Sequence, residues 1–393
     1  MPQIVSLLLL VFITALIAAR LRIPQVPVLV IAGLALGFTH LLPRMTLNPE
    51  TLMSILLPPL LFEGALHLEA VAVKREVWSI SILAFAGTLI AAAISGLLFA
   101  VLMKLPFQYG MLFGALISAT DPISVISIFR KLGAPARLTL IIEAESLFND
   151  GMAAVIFLAV LGSTQSSHFN ILQSIVTLLI TGGGGALTGF LLGYLAAKVH
   201  SQLDDQLVNM LLTTILAYGS YEIANSLRFS GVMAVVIAGI VVGNKGLLHS
   251  MTTEEREGLL ASWRFGAFVV NSVIFLLVGV QVVRLHWVGG LYGVVVGVAS
   301  TQLGRAFIYP LCYIAGKAGE CIPVRWQHLL FWGGLRGALA MALSLAIPSS
   351  IPCRGLIVSA AYGVVLFSLL IQGLSMEPVM RKLIPVSETE VVS

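Results

Sequence analysis

Long apolar runs, rather than alternating polar and apolar positions, dominate this chain. A helix that crosses a bilayer needs about 20 mostly apolar residues. Read at that length, the chain shows thirteen runs: residues 3–19, 25–43, 50–66, 78–103, 108–129, 138–163, 170–197, 206–227, 231–248, 265–283, 286–316, 325–348 and 355–380. The breaks between them carry Pro, Gly or charge, and they are least sharp at 66–78 and 248–265. A transmembrane barrel is excluded, because its strands would alternate lipid-facing and lumen-facing residues. The pattern predicts an all-α polytopic membrane protein.

Composition agrees. Of 393 residues, 58% are hydrophobic and 10% charged, with a mean hydropathy of +1.01; a soluble domain carries about 25% charged residues. A soluble enzyme, a secreted disulfide scaffold and a disordered protein are therefore excluded. The net charge of +4 comes from basic residues scattered singly and in pairs, so no nucleic-acid partner is expected. Cys312, Cys321 and Cys353 form no C-x-x-C pair, and no H-E-x-x-H occurs, so neither a resident metal nor a cofactor is expected. Gly182 to Gly185, followed by Gly189, lie in an apolar run with no Lys after them, which predicts close helix packing rather than a phosphate loop.

Loop charge predicts the orientation. Fifteen basic residues fall on one side, Arg22, Lys245, Arg256 and Arg264 among them, and five on the other, including Arg44. By the positive-inside rule the N-terminus is outside and the C-terminus cytoplasmic, in the cell (plasma or inner) membrane. No basic segment precedes the first run, so it is expected to be a retained span. Arg305 and Arg336 are left within spans.

Six carboxylates are also out of place: Glu63, Asp121, Glu143, Glu145, Asp150 and Glu222. Each costs about 2.5–3.5 kcal/mol at mid-membrane, and two arginines cannot neutralise six. Protons, cations or both must make up the difference. Asp121 precedes Pro122, which disfavours helix at the residue before it. The helix is expected to unwind near Thr120 and Asp121 and free carbonyls for a hard cation; the alternative is a proline kink with a structural Asp. On the next span Glu143, Ser146 and Asp150 share one helix face, and Glu145 and Asn149 another. Ser146 and Asp150 can then aim at one point, while Glu145 turns toward a buried arginine. Glu143 is either part of this face or interfacial. Arg336, among Gly333, Gly334 and Gly337, marks a second interrupted span, and two such interruptions point to a transporter's binding site. Arg305 either lies deep or snorkels to an interface. Glu63, after Pro58-Pro59, is either a pathway residue or a carboxylate at a helix end; Glu222 reads as structural.

At these residues the sequence resembles the monovalent cation–proton antiporters, in the NhaP-type and sodium/proton exchanger branch. The matching stretches are Phe62-Glu63-Gly64, Ala119-Thr120-Asp121-Pro122, Glu145-Ser146-Leu147-Phe148-Asn149-Asp150-Gly151 and Gly333-Gly334-Leu335-Arg336-Gly337. The resemblance implies a thirteen-span inverted-repeat fold, homodimeric, with two crossing broken helices. It implies a core of residues 78–163 and 286–380 and a dimerisation scaffold of 1–77 and 164–285. Asp150 would carry the proton and the cation, with Thr120, Asp121 and Ser146 completing the site and Glu63 nearby. Glu145 would pair with Arg336 or Arg305, and Asn149 would hold the site together. Asn before the Asp implies electroneutral exchange. With only some dozen residues after 380, regulation by a long cytoplasmic tail is not expected.

The expected function is exchange of Na+, with Li+ as a further substrate, for H+, serving pH homeostasis and salt tolerance. A potassium/proton antiporter is the alternative within the class. Outside it stand a cation channel and an intramembrane aspartyl protease, whose G-x-G-D motif is missing before Asp150.

Overall fold

In hydrocarbon no water is at hand for a bare N–H or C=O, so a chain this apolar has to satisfy its backbone within each segment. The computed structural model describes residues 2–21, 23–39, 49–165, 171–200, 205–244 and 251–384, and helices are the only regular elements among them. Seven helices are long and apolar enough to cross a membrane: Val77–Met103, Ala136–Thr164, Ile175–His200, Gln206–Ser226, Thr253–Val283, Gly290–Ala318 and Arg354–Leu383. Four shorter apolar helices, Val5–Leu21, Gln25–Thr39, Phe107–Ser118 and Gly231–Asn244, accompany them.

Helix Ala136–Gln165 runs through the interior and packs on Phe107–Ser118, Ile171–His200 and Gly231–Asn244. Ile171–His200, in contrast, keeps a wide apolar face uncovered, with Leu179, Leu187, Leu191 and Leu195 all exposed. Such a face suits lipid rather than water. The opposite face of the same helix carries its glycine cluster. Gly185 and Gly189 lie against the backbone of Ser230 and Ala234, Gly184 lies on the Phe229 ring, and any Cβ there would collide. The Ser230 amide even donates to the Thr181 carbonyl across the contact at 3.0 Å. Gly184, Gly185 and Gly189 serve close packing, as expected, whereas a Cβ on Gly183 would meet nothing within 4 Å.

The runs at 78–103, 138–163, 170–197, 206–227 and 355–380 each lie within three residues of a helix at both ends. Others differ. The run at 265–283 begins too late: the helix is Thr253–Arg284, started by a capping box in which the Thr252 hydroxyl accepts from the Glu255 amide and the Glu255 carboxylate accepts from the Thr252 amide. Two turns of charged residues hide that start from a hydropathy reading. Arg256 and Arg264, counted above as loop residues, are therefore helical. The run at 286–316 divides into Gly290–Arg305 and Ile308–Ala318, with a turn at 306–307. The run at 50–66 opens with a π-helical turn, Leu52–Leu56. Residues 40–43 and 245–248 of two expected runs, together with Arg22, Arg44 and Lys245 of the charge count, lie outside the described residues.

Candidate functional site

Two helices are broken, and the sequence gives a reason for each. Phe107–Ser118 stops before Asp121-Pro122, and the chain resumes as Ile123–Leu132. Val324–Trp332 stops at Gly333-Gly334, and the chain resumes as Ala338–Leu345. The interruptions satisfy each other's backbone. The Asp121 amide donates to the Leu335 carbonyl at 2.7 Å. Arg336, 2% exposed, donates through Nη1 to the Ser118 and Ala119 carbonyls at 2.8 and 3.0 Å. Its own amide donates to Ser368 Oγ at 2.7 Å, at the start of a π-helical turn, Ser368–Gln372. Gly337 packs so closely on the Asp121 side chain that a Cβ would overlap it.

Helix Ala136–Gln165 presents its carboxylates to this junction. Ser146 Oγ donates to the Thr120 carbonyl at 2.5 Å and lies 3.1 Å from the Thr120 hydroxyl. Asn149 Nδ2 donates to the Thr120 hydroxyl at 3.2 Å and to Glu145 Oε1 at 3.4 Å. The two helix faces separated above are thus bridged by Asn149, where the sequence reading had Glu145 and Asn149 turn away from the Ser146 face. The carbonyls of residues 118, 119 and 120, which unwinding was expected to free, accept these protein donors.

The charges sort into pairs and exceptions. Arg305 Nη1 and Nη2 lie 2.7 and 3.3 Å from the two oxygens of Glu145. Of the two arginines considered for Glu145, Arg305 is the partner; it is buried rather than snorkelled, and Nη2 also reaches the Leu330 carbonyl at 3.0 Å. Glu143 lies 3.7 Å from Arg130 and Glu63 lies 3.4 Å from His67. Glu222 is exposed on its helix. Among the described residues, Asp121 and Asp150 have no basic group within ion-pair distance. Asp121 Oδ1 accepts from the Ile123 amide at 3.0 Å, an N-terminal turn for the second half-helix. Asp150 Oδ1 is occluded and has no hydrogen-bond partner. Both carboxylates line a cavity of about 270 Å³, together with Thr120, Glu63 and Glu143.

The comparisons with known proteins bear on this arrangement. The profile of a family described as "Sodium/hydrogen exchanger, transmembrane" matches residues 6–382. The chain belongs to the sodium/hydrogen exchanger family. It is accordingly an integral membrane transporter rather than an enzyme. It is 36% identical over 385 residues to the Na(+)/H(+) antiporter NhaS2 of Synechocystis sp., covering 97% of this chain and 70% of that protein. It is 33% identical over 395 residues to the Na(+)/H(+) antiporter NhaH of Halobacillus dabanensis, covering 97% of each. The fold is similar to that of the sodium proton antiporter MjNhaP1 from Methanocaldococcus jannaschii, with a TM-score of 0.77 and 24% identity, over 98% of this chain and 99% of the other.

In this exchanger-family chain the cavity holds polar residues that the sequence reading passed over. Arg130 and Arg264 border it, and so does Asn271, 7% exposed. Arg264 was counted above as a loop residue. Asn271 was the missed signal, an amide in the middle of the 265–283 run.

Proposed function

We propose that this chain exchanges Na+ for H+ across the membrane by competition at Asp150. The observation that carries the reading is the Asp150 carboxylate, which lines a cavity, has one oxygen occluded and unpartnered, and has no basic group within ion-pair distance among the described residues. An unpaired carboxylate in low dielectric costs several kcal/mol. A proton or a cation relieves that cost, and each excludes the other. The relatives' names as Na(+)/H(+) antiporters favour sodium, and oxygen ligands suit hard cations, Li+ included.

Thr120, Asp121 and Ser146 complete the pocket, with Glu63 on its approach. Asn149 and the Glu145–Arg305 pair fix its shape, and Arg336 ties the two interruptions together. These interrupted helices cross within a thirteen-span inverted-repeat fold. Residues 78–163 and 286–380 form a core that rocks against a dimerising scaffold of 1–77 and 164–285. The N-terminus is outside and the C-terminus cytoplasmic, in the cell membrane of a homodimer that serves pH homeostasis and salt tolerance. With Asn149 in place of a second acid, one proton trades for one cation and no net charge moves.

The test is pH-gradient dequenching in proteoliposomes on addition of Na+, Li+, K+ or Ca2+. Sodium and lithium are expected to collapse the gradient, and Asp150→Asn, folded and inserted, to abolish the response. A response to K+ in place of Na+ moves the reading to potassium/proton exchange. Sodium flux indifferent to the pH gradient indicates a channel, and a fully active Asp150→Asn ends the carrier assignment.

A further inference from the structure

Ser368 and Gln372 are polar residues one turn apart on the last span, Arg354–Leu383, and are 0% and 2% exposed. Their neighbours Phe367, Leu369, Leu370 and Ile371 are all apolar. The two residues open and close the π-helical turn Ser368–Gln372, in which the Gly373 amide reaches back five residues to the Ser368 carbonyl. Such turns are rare inside α-helices and are found often at functional sites. Here the turn faces the second interruption. Gln372 Nε2 donates to the Trp332 carbonyl, just before Gly333-Gly334, at 3.3 Å. Ser368 Oγ accepts from the Arg336 amide, just beyond Leu335, at 2.7 Å. The two side chains thus grip the glycine bend from either side. Within their grip lies the contact with the first interruption: the Leu335 carbonyl, which accepts from the Asp121 amide, and the Arg336 guanidinium, which donates to the Ser118 and Ala119 carbonyls.

We propose that Ser368 and Gln372 are positioning residues for cation binding, acting through Leu335 and Arg336 on Asp121. The inference rests on the antiport reading and deepens it. Two successive glycines leave the bend free to take many conformations, so its shape has to be set from outside. Polar side chains buried on an apolar span are kept where they are hydrogen-bonded, and both of these bond to the backbone flanking the bend. Removing the Ser368 hydroxyl would leave the Arg336 N–H buried without its acceptor, a costly state that a shift of the bend relieves. The Asp121 amide and the carbonyls of residues 118 and 119 are tied to the bend, so the shift passes to the cavity wall that carries Thr120 and Asp121. Neither Ser368 nor Gln372 borders that cavity, and their effect on the ion is indirect. Ser375, a turn further along, makes a similar contact that bypasses the bend: its hydroxyl accepts from the Trp332 indole Nε1 at 2.9 Å.

The experiment is a Na+ titration of proton flux in proteoliposomes for the wild type, Ser368→Ala, Ser368→Thr, Gln372→Met and Ser375→Ala. Ser368→Ala and Gln372→Met are expected to raise the half-saturating Na+ concentration at least threefold while the maximal rate stays within twofold. Ser368→Thr keeps the acceptor and is expected to stay within twofold of the wild type in both. Ser375→Ala is the control for losing one hydrogen bond between the same two helices, and is expected to change neither. A loss of maximal rate with unchanged half-saturation, as mere packing would give, overturns the assignment. So does a Ser375→Ala variant shifted as far as Ser368→Ala. If Ser368→Ala fails to fold, Gln372→Met decides: a raised half-saturation supports the assignment, and a wild-type titration overturns it. A wild type without any Na+-driven proton flux overturns the antiport reading, and this inference with it; normal wild-type flux with normal Ser368 and Gln372 variants overturns the positioning role alone.

Discussion

Arg305 holds both oxygens of Glu145, 160 positions earlier in the chain, at 2.7 and 3.3 Å, with 8% and 2% of the two residues exposed. The pair joins the central helix to the C-terminal end of the helix Gly290–Arg305. Removing one partner of a buried pair strands the other charge, at a cost of about 3–5 kcal/mol, whereas replacing both with apolar groups is often neutral. Glu145→Ala is therefore expected to lower the melting temperature of the detergent-purified protein sharply. The double substitution Glu145→Leu with Arg305→Met is expected to recover most of the loss. Equal destabilisation by the single and the double change would mean that the pair contributes something other than mutual neutralisation.

Gly337 offers a test of the junction. A side chain there would enter the space of the Asp121 carboxylate, so Gly337→Val is expected to insert in the membrane and lose exchange. Gly219 is the contrast, with open space where its Cβ would be. In a helix interior Gly→Ala gains about 0.5–1 kcal/mol, so Gly219→Ala is expected to keep full flux with equal or higher thermal stability. Flux assays and melting curves on the two variants check both statements.

Asn149→Asp places a second titrating acid beside Asp150 and removes the donor to Thr120. A charge moved through the membrane field is worth about 2.3 kcal/mol per 100 mV. Wild-type flux is expected to ignore an imposed potassium-diffusion potential. The variant's remaining flux is expected to follow it. A potential-driven wild-type current would contradict electroneutral exchange.

At the end of the span Ala136–Thr164, Arg137 binds Glu76, which precedes the span Val77–Met103, through Nε and Nη2 at 2.5 and 3.1 Å, and the carbonyls of Glu320 and Cys321 at 2.9 and 3.0 Å. Burial alone would raise the Glu76 carboxyl, but hydrogen bonds from Arg137 and Ser79 and the Arg137 charge outweigh it and hold it below the ordinary glutamate range. A depressed acid stabilises the fold above its unfolded pKa, and that contribution is lost as pH falls through the folded pKa. Arg137→Gln is thus expected to melt below the wild type at pH 7, with the gap closing below about pH 4. A gap that persists unchanged in acid would rule out Glu76 as the partner that matters.

Much of this arrangement was legible in the residues. Hydrophobic run length located most of the helices, because lipid leaves the backbone no alternative. Pro122 and the glycines around Arg336 located both interruptions, because their backbone preferences act locally. The choice between Arg305 and Arg336 for Glu145 was not legible, since it depends on how distant segments pack. The start of the helix at Thr253 was hidden for the opposite reason: its first turns are polar, and only the capping chemistry at Thr252 and Glu255 marks it. Asn271 was missed because an amide in an apolar run looks unremarkable until the cavities beside it are known.

The hydrogen bonds between the two interruptions run largely through main-chain atoms, Asp121 to Leu335 and Arg336 to the carbonyls of residues 118 and 119. Neither segment can be rewound or shifted alone without stripping its opposite number. Anyone building chimaeras with a relative should transplant 107–132 and 324–345 as a matched set, because a graft of either by itself would import a lock without its key.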